Sequence, residues 1–233
     1  MVLRRTYKRR NYTKDPNANR KRLLTILFIL LASYYLGPKL KGQVSAVQLK
    51  SQYFKVYREF SQAVALYQYK DGEFAPSSYA EPRRFVQTFS SLFAVDTLCE
   101  EDSNLCLPSS KSPVYTTLDG KKHPKFLKDP NIGQFVLLDG TLVILNEVNG
   151  NLWVNVDING IKRKPNKLGL DVFTFFIGSD ESNMKLMGAS GTPYMNLSKY
   201  CNPYTSNKYN GLPCSYKAIL DKTYFEEFKF LLR

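Results

Sequence analysis

Residues 135–177 constrain the fold more than any other stretch of the chain. In FVLLDGTLVILNEVNGNLWVNVDINGIKRKPNKLGLDVFTFFI, β-prone runs at 135–138 and 141–147 flank Asp139-Gly140. That dipeptide is a turn or bulge signal between strands. Asn149-Gly150-Asn151 marks a second turn, after which Leu152, Val154, Val156 and Ile158 alternate with Trp153, Asn155 and Asp157. Period-two alternation predicts a half-buried strand. Asn159-Gly160 ends it, a lysine-rich loop with Pro165, Asn166 and Gly169 follows, and Asp171 opens the apolar run VFTFFI. The stretch predicts a three-strand antiparallel meander tied by one elaborate loop.

The chain has 233 residues, 43% of them hydrophobic, which is room for one ordinary domain plus an extension and excludes disorder of the whole. Its net charge of +13 is lopsided: residues 1–22 hold nine Lys/Arg against Asp15 alone, leaving +5 for the other 211 residues. A basic arm can bind nucleic acid, but this one directly precedes the most apolar segment, LLTILFILLASYYL at 23–36. Charge in that position reads as a topology signal. Fourteen residues at about 1.5 Å rise reach about 21 Å, short of the roughly 30 Å hydrocarbon core, and flanking Arg22, Lys39 and Lys41 can snorkel. A cleaved secretory signal and a buried soluble helix are the alternatives to a membrane anchor. Both membrane readings place residues 39–233 outside the cytoplasm.

Four cysteines fit an oxidising compartment. They permit three pairings, and the sequence does not choose among them. Local closure of Cys99 with Cys106 and of Cys201 with Cys214 is the expectation, with four reduced thiols as the alternative. No pair has CxxC spacing and His123 is the lone histidine, so a zinc site is not expected. The chain has no GxSxG, Walker loop or HExxH, and adjacent pairs such as Glu100-Glu101 read as solvated surface. We expect no enzyme and no small-molecule substrate.

Taken in order, 1–22 is a basic cytoplasmic leader, 23–38 an anchor helix broken by Gly37-Pro38, and 39–233 one extracytoplasmic domain. In 39–70, Leu49, Tyr53, Val56, Phe60, Ala63 and Tyr67 make one apolar stripe at helical spacing. Residues 71–134 hold a second helical pattern from 81 to 98 and a short strand candidate at 114–118. The meander occupies 135–177. Residues 178–233 are irregular apart from a short helix near 197–200 and a helical C-terminus.

Asp157, Asn159, Gly160, Pro165, Asn166, Gly169, Asp171 and Phe173 spell DxNGxxxxPNxxGxDxF. This resembles the loop of bacterial type IV pilin-like and type II secretion pseudopilin-like proteins. KSQYFKVYREFSQAVALY is similar to their post-membrane helix, RFVQTFSSLFAVDTLCEEDSNLC to their aromatic helix and short cysteine loop, and NGLPCSYKAILDKTYF to their C-terminal Asn-Gly, Cys, apolar strand and Asp ending. The resemblance covers roughly residues 23–225. It implies an α+β fold, with a long N-terminal helix, half in the membrane and half amphipathic, packed on a small antiparallel sheet. It implies a minor or tip-like subunit of a type IV pilus or secretion filament in the bacterial inner membrane, meeting other pilin-like subunits through residues 23–69. The alternative is a membrane-tethered module that captures DNA or a secreted protein without polymerising.

The chain departs from that pattern at its N-terminus. The leader ends Arg20-Lys21-Arg22 without the Gly of the processing site, and no acid occurs between Asp15 and Glu59. The resemblance therefore implies a retained leader.

The loop has two readings. Asp157, Asn159 and Asp171 are hard oxygen donors beside a Gly turn, as calcium sites use, and related secretion pseudopilins bind calcium in their sheet loops. Lys162, Arg163, Lys164 and Lys167 oppose a nearby cation. Alternatively Asp157 and Asp171 cap turns, Gly160 and Gly169 take positive φ, and Pro165 stiffens the crossing. Basic and aromatic neighbours in SNKYNGLPCSYK suit phosphates, but a net +5 over residues 23–233 is ordinary.

Overall fold

A computed structural model describes residues 21, 23–29, 31, 45–72, 74, 76–99, 106–107, 114–179 and 183–232. They belong to two units, Met1–Gly42 and Gln43–Arg233. In the first, residues 21, 23–29 and 31 are helical, and Leu23, Leu24, Phe28 and Ile29 are exposed. Among the described residues no helix is long and apolar enough to cross a membrane. Most of the expected leader, anchor residues 32–38 and residues 39–44 of the expected amphipathic helix lie outside the described residues.

The second unit is α+β. Its long helix α1, Ala46–Asp71, starts where the Ser45 hydroxyl accepts the Gln48 N–H at 3.1 Å. It ends at Gly72, whose φ of 91° suits only glycine. The anticipated stripe of Leu49, Tyr53, Val56, Phe60, Ala63 and Tyr67 is buried. Six strands, β1 Val95–Cys99, β2 Gly133–Leu137, β3 Leu142–Val148, β4 Asn151–Asp157, β5 Val172–Ile177 and β6 Lys185–Leu186, form one antiparallel sheet in sequence order. Successive residues of each strand point to opposite faces. Phe135, Val143, Leu145, Val154, Val156, Phe173 and Phe175 therefore share a core with α1. Each such side chain stabilises the fold by roughly 1.5–3 kcal/mol on burial.

Short helix α2, Pro82–Ser90, adds Phe85 and Phe89 to that core, where they surround Tyr67 and Phe74. The described residues include four further short α-helices, α3 Lys125–Lys128, α4 Leu197–Tyr200, α5 Cys214–Leu220 and α6 Tyr224–Glu227, and 3-10 turns at Pro76–Tyr79 and Lys229–Leu232. α4 matches the helix expected near 197–200.

Several expectations are corrected. The second helical pattern does not run to Leu98: α2 ends at Ser90, a turn closes through Phe93 N–H to Ser90 O, and residues 95–99 pair with β2 as a bulged strand. β-Branched Val95 and Thr97 suit that pairing. The stretch holds four strands rather than three, because residues 133–137 form a strand of their own. β4 is not half-buried, since Trp153, Asn155 and Asp157 are as inaccessible as their apolar neighbours. Residues 114–118 form only an isolated bridge, Thr116 to Lys167. The expected apolar strand near 216–220 is helix α5, and its Ser215 Oγ takes the Thr174 N–H at 2.8 Å where a further strand would have supplied a carbonyl.

Candidate functional site

The second face of the sheet carries polar residues that β4 could not leave unpaired. Asn155 donates to Asn146 Oδ1 at 3.0 Å and accepts from Thr174 Oγ1 at 2.8 Å, a ladder across three strands in fully or nearly fully buried positions. Buried amides need such partners, since each one left unpaired costs about 1–3 kcal/mol. Along this face runs the loop between β4 and β5.

Asp157 ends β4, and its Oδ2 accepts the Tyr115 hydroxyl at 2.8 Å while Oδ1 accepts the Asn159 N–H at 3.3 Å. Asp171 opens β5, and its two oxygens accept the N–H groups of Asn166 at 2.7 Å and Lys167 at 2.6 Å. Ile158 N–H bonds Asp171 O at 2.9 Å, so the two ends of the loop meet. Within it the Lys164–Pro165 bond is cis and Asn166 has φ 55°. Thr116 bonds both Asn166 O and the Leu168 N–H, fastening residues 114–118 to the loop. Gly160 lies on the β2–β3 turn, where a Cβ would meet Gly140 O at 2.3 Å.

The C-terminal region closes the other side. Gly169, at φ 77°, abuts Cys214 of the Cys201–Cys214 disulfide, and Tyr224 donates to Gly169 O. Tyr53 of α1 donates to Ser215 O next to that cysteine. Both expected disulfides are present, Cys99–Cys106 with Cα atoms 6.1 Å apart and Cys201–Cys214 with 5.1 Å. The loop thus joins the sheet, the disulfide-closed C-terminus and, through Ser215, the long helix.

Asp157 and Asp171 are both wholly buried. Burial, then the charge of Asp171, drives the Asp157 carboxyl well above the usual range, against the bonds from Tyr115, Asn159 and Gly160. Burial pushes Asp171 up to about 7, opposed by the Lys167 and Asn166 N–H groups. Burial thus opposes charging both carboxyls of the pair at once. Burial and the Asp157 charge likewise raise the Tyr115 phenol well above its ordinary range, so it remains a donor. The Asn159 amide stands close enough to favour charged Asp171, yet neither of its polar atoms completes a hydrogen bond. We assign it a weak dipolar contact, because a buried amide that bonded properly would not leave both atoms free.

This geometry brings together all of the residues expected at the loop: Asp157, Asn159, Gly160, Pro165, Asn166, Gly169 and Asp171. For a cation, Asp157, Asn159 and Asp171 would be the ligands. All four carboxylate oxygens already accept protein donors, and among the described residues the Asn159 and Asn166 side-chain oxygens and the nearby Thr116 hydroxyl are unclaimed. Among the described residues no group of three or more His, Cys, Asp or Glu could hold a metal ion. What the arrangement does well is bind itself.

The sequence placed Tyr53 on the apolar stripe without a partner for its hydroxyl, and did not point to Tyr115 or Tyr224; the three hydroxyls bond Ser215, Asp157 and Gly169. The signal was there: a tyrosine on an apolar stripe has a hydroxyl that must find an internal partner. Comparison of the chain with known protein families, with curated proteins and with solved structures finds no match.

Proposed function

We propose that the chain is a non-enzymatic, pilin-like structural subunit of a type IV pilus or type II secretion-type filament, of the minor or tip kind. The observation that carries this reading is the joint between α1 and the sheet. A 26-residue helix lies with Tyr53, Phe60 and Tyr67 in the sheet core, and the DxNGxxxxPNxxGxDxF loop behind it is fastened to the same C-terminal segment that Tyr53 bonds. Such a joint holds a long helix rigidly against a head.

In this reading the apolar residues of 23–31 bury themselves in the bacterial inner membrane and against other pilin-like subunits, and the sheet unit lies outside the cytoplasm. The disulfides Cys99–Cys106 and Cys201–Cys214 agree with that side of the membrane. The absence of a Gly before residue 23 and of an acid between Asp15 and Glu59 makes it a special rather than a major subunit. Mechanical shearing of cells, followed by detection of the chain in the filament fraction, tests the proposal.

A further inference from the structure

The +5 of residues 23–233 is unevenly placed on the fold. Three segments contribute to the core on the sheet face opposite α1: 114–132 through Tyr115, Phe126 and Leu127, 159–170 through Ile161 and Leu168, and 183–212 through Met187, Tyr194 and Tyr209. Each also sends residues, such as Leu118, Leu170 and Leu186, to the core shared with α1. The first holds Lys121, Lys122, Lys125 and Lys128 against Asp119 and Asp129. The second holds Lys162, Arg163, Lys164 and Lys167, and the third Lys185, Lys199 and Lys208, neither with any acid. Together these segments carry +9, and the rest of 23–233 carries −4. Counting buried Asp157 and Asp171 as fully ionised would still leave +7. Glu73, Glu100, Glu101, Asp102, Asp180 and Glu181 lie outside the described residues, and Asp180 and Glu181 directly precede the third segment in sequence.

Aromatic rings sit in the same layer. The dipeptide Lys-Tyr occurs twice in the third segment, with Lys199 Nζ 4.9 Å from the Tyr200 ring and Lys208 Nζ 4.8 Å from the Tyr209 ring. Tyr194, at φ 62°, lies 4.4 Å from Tyr209 and meets Tyr200 edge-on at 5.2 Å. Tyr204 is 82% exposed. The loop bearing Tyr204 and Tyr209 is closed by the Cys201–Cys214 disulfide and held inside by Asn210, whose amide bonds Asn202 O and Thr205 O. The rings are therefore presented by an ordered platform.

We propose that this face binds single-stranded nucleic acid, with exposed Tyr204 and, beside it, Tyr200 stacking on bases while Lys199, Lys208 and the lysines of 121–128 and 162–167 follow the phosphates. Unpaired bases offer the π-faces that such rings select, and a duplex hides them. An anionic bilayer or an acidic polysaccharide would satisfy the charge but has no base to stack. The site lies on the sheet unit and does not depend on filament assembly.

The test is fluorescence anisotropy of the full chain in neutral detergent with a labelled oligothymidylate. Over about 50–200 mM salt, log affinity falls linearly with log salt, with a slope of about −2 or steeper, as three or more phosphates require at about 0.7 each. Lys199→Ser combined with Lys208→Ser makes the slope shallower by about 1.4. Tyr204→Ser weakens binding about tenfold at unchanged slope. Lys70→Glu, on exposed α1 across the sheet, changes neither, and all variants keep the parental melting temperature. The proposal is overturned if no binding occurs, or if Lys70→Glu weakens it as much as the lysine pair. It is equally overturned if Tyr204→Ser is silent while heparin or phosphatidylglycerol vesicles bind as tightly as the oligonucleotide.

Discussion

Gly169 lies so close to Cys214 that a Cβ on the glycine would stand 2.6 Å from the cysteine Sγ. Its φ of 77° is also one that side chains resist. Gly169→Ala should therefore cost about 2–5 kcal/mol, combining the left-handed backbone with forced displacement of the disulfide. Gly72→Ala is the matched control, because its φ is 91° but nothing lies within 4 Å of the added atom. It should cost only about 1–2 kcal/mol. Urea unfolding of both variants checks the difference, and equal losses would mean that the disulfide does not buttress the loop.

The buried carboxylates set an unusual pH response. Asp171 is raised to about 7 and burial also raises Asp157 well above the usual range, while both titrate near about 3.9 in an unfolded chain. Between those values the folded state holds protons that the unfolded state has released, so stability is fullest in acid and falls as pH rises through neutrality. Asp139, bonded by Lys55 and Thr141, and Asp221, bonded by Thr223, are shifted downward and act oppositely only at lower pH. Unfolding free energy measured at about pH 5 should exceed that at about pH 8. Asp157→Asn should flatten the dependence, and an unaltered slope in that variant would remove the pair from the account.

The same carboxylates bear on calcium. Because Tyr115, Asn159, Asn166 and Lys167 already donate to all four oxygens, a cation would have to displace those donors. Melting temperature should be unchanged by excess calcium or by a chelator. A rise with calcium that Asp157→Asn abolishes would establish the metal reading instead.

Much of the sheet unit was legible in the sequence because its signals are local. Turn dipeptides at 139–140 and 149–150, the 3.6-residue stripe of α1 and the period-two alternation of β4 each report on a few neighbouring residues. What was not legible depends on distant partners. Val95 to Cys99 follow a helix without a break in apolar content, and only pairing with β2 makes them a strand. Trp153, Asn155 and Asp157 look like a solvent face until residues 114–132, 159–170 and 183–212 cover them. The unequal charge of these segments was hidden for the same reason, because a net charge averaged along the chain does not show which segments share a layer. At the loop, residue identities gave the right cast, but Tyr115, Cys214 and Tyr224 come from 42 to 55 residues away along the chain or belong to another segment altogether.

The N-terminus makes a separate prediction. With no Gly before residue 23 and no acid from 16 to 58, the leader should remain on the mature protein. Intact mass of membrane-extracted protein should include residues 1–22, whereas a start near residue 23 would show that the segment is removed.

The central claim is assembly, and the filament fraction of sheared cells tests it most directly. Immunogold labelling of that fraction should place the chain on filaments, sparsely or at their ends as befits a minor or tip-like subunit. Complete retention in the membrane fraction of cells that carry filaments would contradict the account.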